Sequence, residues 1–464
     1  MIARYPSRSQ LFSRVLRIYS WNCHWAFSAV QRENGGKIEL PFARRLPSSK
    51  GSDLHGQLTC GFIVCYIVLK KCISHEEGFV VKKAVQLGCG LVGNVIAADM
   101  MKDFDVTVVD LNTAALEALK KKFPAVKTVA ASATDAGALA PILEGADVVT
   151  AGVPGRFGHA MMRAVIDLGY SLSDISFMPE DFEELSEDAK RKGVTVVPDM
   201  GVAPGMSNFL MGRGAALLDE VERAYIYVGG IPKDPQPPFN YQVTWSARDV
   251  IEEFTRPARY VENHELVTVE ATSGLFLKDF PGLGTLEVFY TDGLRSLAKN
   301  IKARDMGEMT MRWPGHVEQM RLLRSMGMFD ETPRMLGGKE VVPLDVTADL
   351  LFPMWKMDPE KGDRDLTVMR VEVEGFKGKD HVTHTWDLLD EFDTKSWNTS
   401  MSRCTGCSCA IFARAIAAGL IKEKGVLPAE KLAGDDALYS FVMTEQRKRG
   451  IVYTESVKIV KNVR

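Results

Sequence analysis

The stretch Ala84-Val85-Gln86-Leu87-Gly88-Cys89-Gly90-Leu91-Val92-Gly93 constrains this chain more than any other part of it. A short apolar run leads into three glycines spaced G-x-G-x-x-G, and a helix-forming stretch follows to about Met101. The first glycine permits a tight turn, the second lets backbone approach a diphosphate, and the third lets the helix pack on the strand. The start of that helix then offers unpaired N–H groups to an anion. A second β-rich run over 105–109 ends in Asp110, 22 residues after Gly88. An acidic side chain at that distance accepts hydrogen bonds from ribose hydroxyls and repels a 2′-phosphate, so NAD is expected rather than NADP. Gly88, Gly90, Leu91, Val92, Gly93 and Asp110 are therefore candidate cofactor residues.

Strand and helix patterns continue to alternate: helix 113–123, strand 127–130, helix 136–143, strand 147–149, helix 158–168, strand 170–176, helix 180–192 and strand 194–197. Alternation at this spacing means an α/β fold with a doubly wound parallel (Rossmann) sheet. Ligands bind outside the carboxyl ends of such strands, which directs attention to 132–135, 152–155, 173–177 and 198–201. Asp135 is placed either to accept from an adenine amino group or to cap the helix that follows it. Gly152, Val153 and Pro154 would pass beneath the nicotinamide ribose. Asp174 and Asp199 end consecutive strands, where each either faces the reacting end or serves a cap or turn.

At 464 residues the chain has room for two to three domains. β-rich runs at 224–228, 241–245, 266–270, 285–290, 309–313 and 366–373, with helices near 249–254, 294–301, 317–325 and 347–354, predict a mixed sheet beyond the first domain. Two amphipathic helices, 405–420 and 435–449, follow. Residues 1–80 differ in kind, with eleven Lys/Arg against five Asp/Glu and no acid before Glu33. That composition reads either as an organelle transit segment or as upstream sequence joined to a fold that starts near Val80 or Val81. A cytoplasmic location is expected unless the segment is a genuine transit peptide. The apolar run 61–69 is about half the roughly 20 residues that a membrane helix needs. Lys+Arg 57 against Asp+Glu 60 gives a net charge of −3, which argues against nucleic acid or a membrane surface as the main partner.

Several later motifs occur together: Asp199-Met200-Gly201-Val202-Ala203-Pro204-Gly205-Met206-Ser207-Asn208, Trp245-Ser246 after Phe239-Asn240-Tyr241, Asp292-Gly293-Leu294-Arg295-Ser296-Leu297, Arg312-Trp313-Pro314-Gly315-His316 and Ser402-Arg403-Cys404-Thr405-Gly406. In this order they resemble the saccharopine dehydrogenase-like family, most closely its lysine 6-dehydrogenase branch. The resemblance implies a dinucleotide-binding domain (81–208), an inserted mixed-sheet domain for substrate binding and dimerisation (209–395), and C-terminal helices returning to the first domain (396–464). It further implies a homodimer and oxidative chemistry at an amine carbon. Where saccharopine reductases read Gly-Leu-Asp-Pro-Gly-Ile-Asp-His, this chain lacks both acids and the histidine, which favours a smaller amine such as free lysine over saccharopine. Saccharopine- or carboxynorspermidine-type condensation of an amine with a carbonyl stays open, as does a nucleotide-sensing protein without turnover.

Hydride loss from an amine carbon requires a neutral nitrogen, whereas a free ε-ammonium has a pKa of about 10.4. Asp174, Asp199, His159 and His316 are the candidate proton acceptors. A substrate carboxylate calls for a guanidinium clamp, for which Arg248, Arg295 and Arg312 are candidates, with Trp245 and His316 beside the substrate. Each of these arginines competes with a structural ion-pair reading, and Trp245 with a core one. Cys404-x2-Cys407-x-Cys409 offers three thiols without an evident fourth ligand, so no metal is expected.

Overall fold

The computed structural model describes residues 81–244 and 247–464; both readings of residues 1–80, and the side chain of Trp245, lie outside it. The first sheet is built from β1 (Lys83–Leu87), β2 (Asp105–Asp110), β3 (Lys127–Ala130), β4 (Val148–Ala151), β5 (Leu172–Asp174) and β6 (Thr195–Val197). All pair in parallel, in the order β3-β2-β1-β4-β5-β6. Parallel strands covered on both faces need continuous apolar sequence, and β4, β5 and β6 are buried throughout. Strand order reverses between β1 and β4, which opens a crevice at their carboxyl ends. Helix starts are set locally. Beside the crevice Asn112 accepts from the Ala115 N–H at 3.1 Å, and in the C-terminal segment Asp435 accepts from the N–H groups of Ala437 and Leu438, satisfying donors that a first turn leaves open.

The second sheet is mixed. It contains β7 (Glu220–Pro232), β8 (Ala258–Glu262), β9 (Glu265–Val269), β10 (Phe276–Phe280), β11 (Gly284–Tyr290) and β12 (Ala303–Arg312). Beyond a small hairpin, β13 (Arg334–Leu336) with β14 (Lys339–Val341), it continues with β15 (Asp365–Lys377) and β16 (Asp380–Glu391). β7 and β12 run parallel, and their neighbours β15 and β11 run antiparallel to them. The expected strand at 241–245 is absent: residues 241–244 are irregular, with one bridge from Val243 to Lys356. Their apolar character is used in packing instead, since Tyr241 is buried edge-to-face on Trp355 with ring centroids 5.2 Å apart.

Residues 396–464 do more than supply helices. β17 (Gly425–Val426) extends the first sheet beside β6, and β18 (Tyr453–Val460) extends the second beside β16. Between them, helix Ser400–Ala417 packs on helix Leu91–Met100 so closely that a Cβ on Gly406 would lie 2.9 Å from Val95 Cγ1. The crossing is locked by charge. The buried Asp99 carboxylate accepts from Arg414 Nη1 and Arg449 Nη2, each at 2.7 Å. Burial alone would raise the Asp99 carboxyl, but Arg449 and Arg414 outweigh it and hold it below its usual value. Its contribution to stability is thus present above the unfolded pKa, about 3.9, and is lost as pH falls through the lower folded value. Asp99→Ala removes the carboxylate that the two arginines share but leaves Arg414 paired with Asp103 and Arg449 with Glu445, so it is expected to cost about 1–3 kcal/mol, read as a lowered urea midpoint at pH 7.

Candidate active site

The glycine turn has a different constraint at each glycine. Gly88 has φ +94°, and a Cβ there would lie 2.4 Å from the Gly152 carbonyl oxygen. A Cβ on Gly93 would lie 2.3 Å from the Gly88 oxygen, whereas Gly90 has no neighbour within 4 Å and leaves its side open. Gln86, buried under the turn, donates to the carbonyls of Leu87 and Gly88 at 2.8 and 3.0 Å and accepts from Thr150 Oγ1 at 2.6 Å. Asp110 is oriented by two backbone donors, Cys89 N–H at 2.6 Å and Asn112 N–H at 2.7 Å. A carboxylate has about four acceptor positions, so two such bonds leave capacity for a ribose.

Around this turn lies a cleft of about 540 Å³. Gly88, Gly90, Leu91, Val92, Gly93, Asp110, Gly152, Val153 and Pro154 all line it, and so do Ser132 to Thr134. No lysine or arginine does so among the described residues. Asp135 is not in the lining: its Oδ1 accepts from Gly137 and Ala138 N–H at 2.9 and 3.1 Å, which is helix capping rather than adenine recognition. An open glycine, a free helix start and an oriented acid are the features a nicotinamide adenine dinucleotide requires.

A second cavity of about 200 Å³ adjoins the cleft, and Val92, Ile175 and Phe177 wall both. Its floor is the loop after β6, where Gly205 (φ +131°) turns back so tightly that a Cβ would lie 2.2 Å from the Gly201 oxygen. Its side is β12, whose period-2 alternation puts Glu308, Thr310 and Arg312 on one face. Arg312, buried, bonds Glu253, donates from Nη1 to the Met311 carbonyl at 2.9 Å and lies 5.0 Å from the Tyr241 ring centre. Glu308 accepts from Thr291 Oγ1 at 2.6 Å, and that hydroxyl is 2.8 Å from Thr310 Oγ1. Burial pushes the Glu308 carboxyl up to about 7 despite the Thr291 bond, with the charges of Glu253 and Asp292 adding to the rise.

Other candidates from the sequence take different places. Asp174 is fully buried and is not among the residues lining either cavity. Its Oδ1 accepts from Ser176 N–H and Oγ at 3.0 and 2.7 Å, and burial carries its carboxyl to about 7. Asp199, in the left-handed region at φ +51°, accepts from Arg295 Nε at 2.7 Å. Burial raises Asp199 and Arg295 pulls it down. Each side chain is 6% exposed, and Arg295 lies 4.7 Å from the Phe177 ring centre, so acid and arginine hold one another rather than a substrate. His316 is a core residue. Its Nδ1 lies 2.9 Å from the Phe239 carbonyl, Tyr241, Phe254 and Trp355 surround it, and burial lowers its pKa to about 3, so it is neutral. Arg248 is exposed beside Glu331 and Asp345, and His159, on helix Gly155–Asp167, lines neither cavity. Cys404, Cys407 and Cys409 are buried thiols, and no metal-binding group of three or more His, Cys, Asp or Glu occurs among the described residues.

Sequence reasoning missed Glu308, Glu253, Thr291 and Arg256, all of which line the second cavity. A signal was present in Met306-x-Glu308-x-Thr310-x-Arg312, where polar groups alternate along an otherwise apolar strand. Such a face, buried, has to line something polar.

Comparison with known proteins matches residues 84–197 to the model of the saccharopine dehydrogenase NADP binding domain, and 201–451 to that of the saccharopine dehydrogenase C-terminal domain. The saccharopine dehydrogenase (NADP(+), L-glutamate-forming) of Schizosaccharomyces pombe is 23% identical over 404 residues, covering 70% of this chain and 88% of the relative. Its namesake from Saccharomyces cerevisiae is 25% identical over 279 residues, 56% of this chain and 61% of the relative. The solved structure of apo saccharopine dehydrogenase (L-Glu forming) from Saccharomyces cerevisiae has a TM-score of 0.69 at 20% identity, covering 81% of this chain and 100% of that one. That last likeness is one of fold. Two substitutions separate packing from binding in the glycine turn. Gly93→Ala should lose about 1–3 kcal/mol through overlap with Gly88, lowering the melting temperature. Gly90→Ala should melt as the parent does while weakening dinucleotide binding in a fluorescence titration.

Proposed function

This chain belongs to the saccharopine dehydrogenase family, and from that premise we propose that it oxidises the amine-bearing carbon of a lysine-like amino acid with NAD. It is an NAD(P)-dependent amino-acid dehydrogenase. NAD is favoured by one observation, Asp110 standing at the end of β2 in a cleft whose described lining holds no cation to meet a 2′-phosphate. The relatives' names carry NADP(+), so this is a point on which the chain would depart from them.

Bound in the cleft, the nicotinamide would supply acceptance of a hydride. The chain's own residues do the rest. Gly88, Gly90, Gly93 and the start of helix Leu91–Met100 would hold the diphosphate, Asp110 the adenosine ribose, and Gly152 to Pro154 the nicotinamide ribose. Lysine at C6, giving the semialdehyde and ammonia, is the leading substrate because the adjoining cavity is small and is lined by Glu252, Glu253, Asp292 and Glu308 against Arg256 and Arg312. An excess of acid attracts an ammonium and repels the several carboxylates of saccharopine. Arg312, whose Nε has no acceptor among the described residues, and Arg256 are the cations for a substrate carboxylate. A second reading, condensation of an amine with a carbonyl in the saccharopine manner, is supported by those same arginines and by the relatives.

Incubation with NAD and L-lysine is expected to raise absorbance at the reduced-nicotinamide band with release of ammonia; NADPH consumption with an amine and a carbonyl acid instead would favour the second reading. Asp110→Ser should raise the NADP-to-NAD ratio of kcat/KM by about tenfold or more, because removing a like charge at ion-pair distance is worth about 1–4 kcal/mol. An unchanged ratio would remove Asp110 from its assigned role.

A further inference from the structure

We propose that Glu308 is the catalytic residue that receives the substrate's ammonium in the second cavity and takes its proton. This rests on the amine-oxidation reading above. Four carboxylates line the cavity, and three are engaged by arginines: Glu253 by Arg312, Glu252 by Arg256, and Asp292 by Arg259 Nε at 2.7 Å. No cationic side chain pairs with Glu308 among the described residues, although it lies on β12 at the centre of the same wall. Its geometry is fixed. A Cβ on Gly293 would lie 2.4 Å from the Glu308 carboxyl carbon, so the backbone there presses directly on the group. Thr291 donates to Oε2, and Thr310, adjoining Thr291, completes a chain of hydroxyls behind the carboxylate. A buried carboxylate with neutral donors on one side and a cavity on the other is an ammonium receptor.

The groups that set its charge come from several elements. Glu253 on helix Ala247–Thr255 and Asp292 after β11 raise its pKa, Thr291 lowers it, and Arg312 on β12 is offset by its bond to Glu253. Arg256 across the cavity is offset in the same way by Glu252. With the carboxyl near 7, Glu308 is partly ionised at neutral pH, the condition under which a general base is most effective. The step is a proton transfer alone. An ammonium N–H bond breaks, an O–H bond forms on Glu308, and the electron pair stays on nitrogen, where it is needed to expel hydride.

The test combines kinetics with binding in the full-length protein. Wild type should show a kcat/KM for L-lysine that falls on the acid side of about pH 7. Glu308→Gln, with NADH binding retained as proof of fold, should lose about 10²–10⁴-fold in kcat and lose that acid limb. Thr291→Val removes a donor to the anion and should move the limb to higher pH, while Thr291→Ser should restore it; a merely structural role would produce neither change. In parallel, calorimetry on the NADH complex should show L-lysine or 1,5-diaminopentane binding that weakens at least tenfold in Glu308→Gln. If wild type oxidises lysine and Glu308→Gln keeps rate and profile, the assignment of Glu308 falls while the function stands. If amines bind through Glu308 but no NAD is reduced, the function falls while the receptor stands. If wild type neither binds nor oxidises an amine, both fall.

Discussion

Both sheets of this protein close onto one helix, and the nearness of that helix to its neighbours is the constraint on which the site depends. Helix Ser400–Ala417 presents Cys404, Gly406, Cys407, Ser408, Cys409 and Ala410 as buried small side chains. With Gly406 facing Val95, backbone approaches backbone, and Cys409 exchanges hydrogen bonds with Ser173 on β5, its carbonyl accepting at 3.0 Å and its thiol donating at 3.3 Å. The three cysteines are therefore space-savers, their thiols driven away from ionisation by burial. Thr405, on the same helix, lines the second cavity, so the fit of this helix sets the distance across it.

The two sheets are also tied by charge. Asp199 follows β6 of the first sheet, and Arg295 follows β11 of the second. Taking both out of water costs free energy that their attraction only partly offsets, so the pair is better understood as fixing one relative placement of the sheets than as adding stability. Arg295 also covers the face of Phe177, a residue that walls both the cleft and the cavity. Moving either charge would therefore move the partition at which the two spaces meet.

Much of this was legible in the sequence because the relevant signals are local. Gly88, Gly90, Gly93 and Asp110 lie within one β-α-β unit, where spacing alone dictates geometry, and the first parallel sheet followed from alternation. The acids near the strand ends divide by the reach of their partners. Asp135 and Asp174 bond N–H groups two or three residues on, the cap and turn readings that the sequence itself offered, whereas Asp199 is held by Arg295, a partner 96 residues away that no local pattern announces. His316 was misread because a motif position carries no information about the ring of aromatics around it. Glu308 escaped notice because its meaning lies in the burial of β12 over 306–312, which is set by the distant segments that pack over the strand and not by the strand's own sequence. β18 was missed because it sits at the outer edge of the second sheet with seven of its eight residues exposed, so its place comes from backbone pairing with β16, which side-chain pattern does not announce.

The placement of β17 and β18 bears on the order of events during synthesis. β6 is an unfinished edge until Gly425 and Val426 arrive, and β16 until Tyr453 to Val460 do. A growing chain therefore holds two open sheet edges for more than two hundred and for about sixty residues of translation respectively, the gaps between each edge and the strand that covers it. Unpaired edges are templates for joining another chain. β17, only two residues long, offers little edge of its own, and β18, which becomes the outer strand of the second sheet, carries Glu455 and Lys458 among its exposed residues, charges of the kind that keep a sheet edge from pairing with another chain.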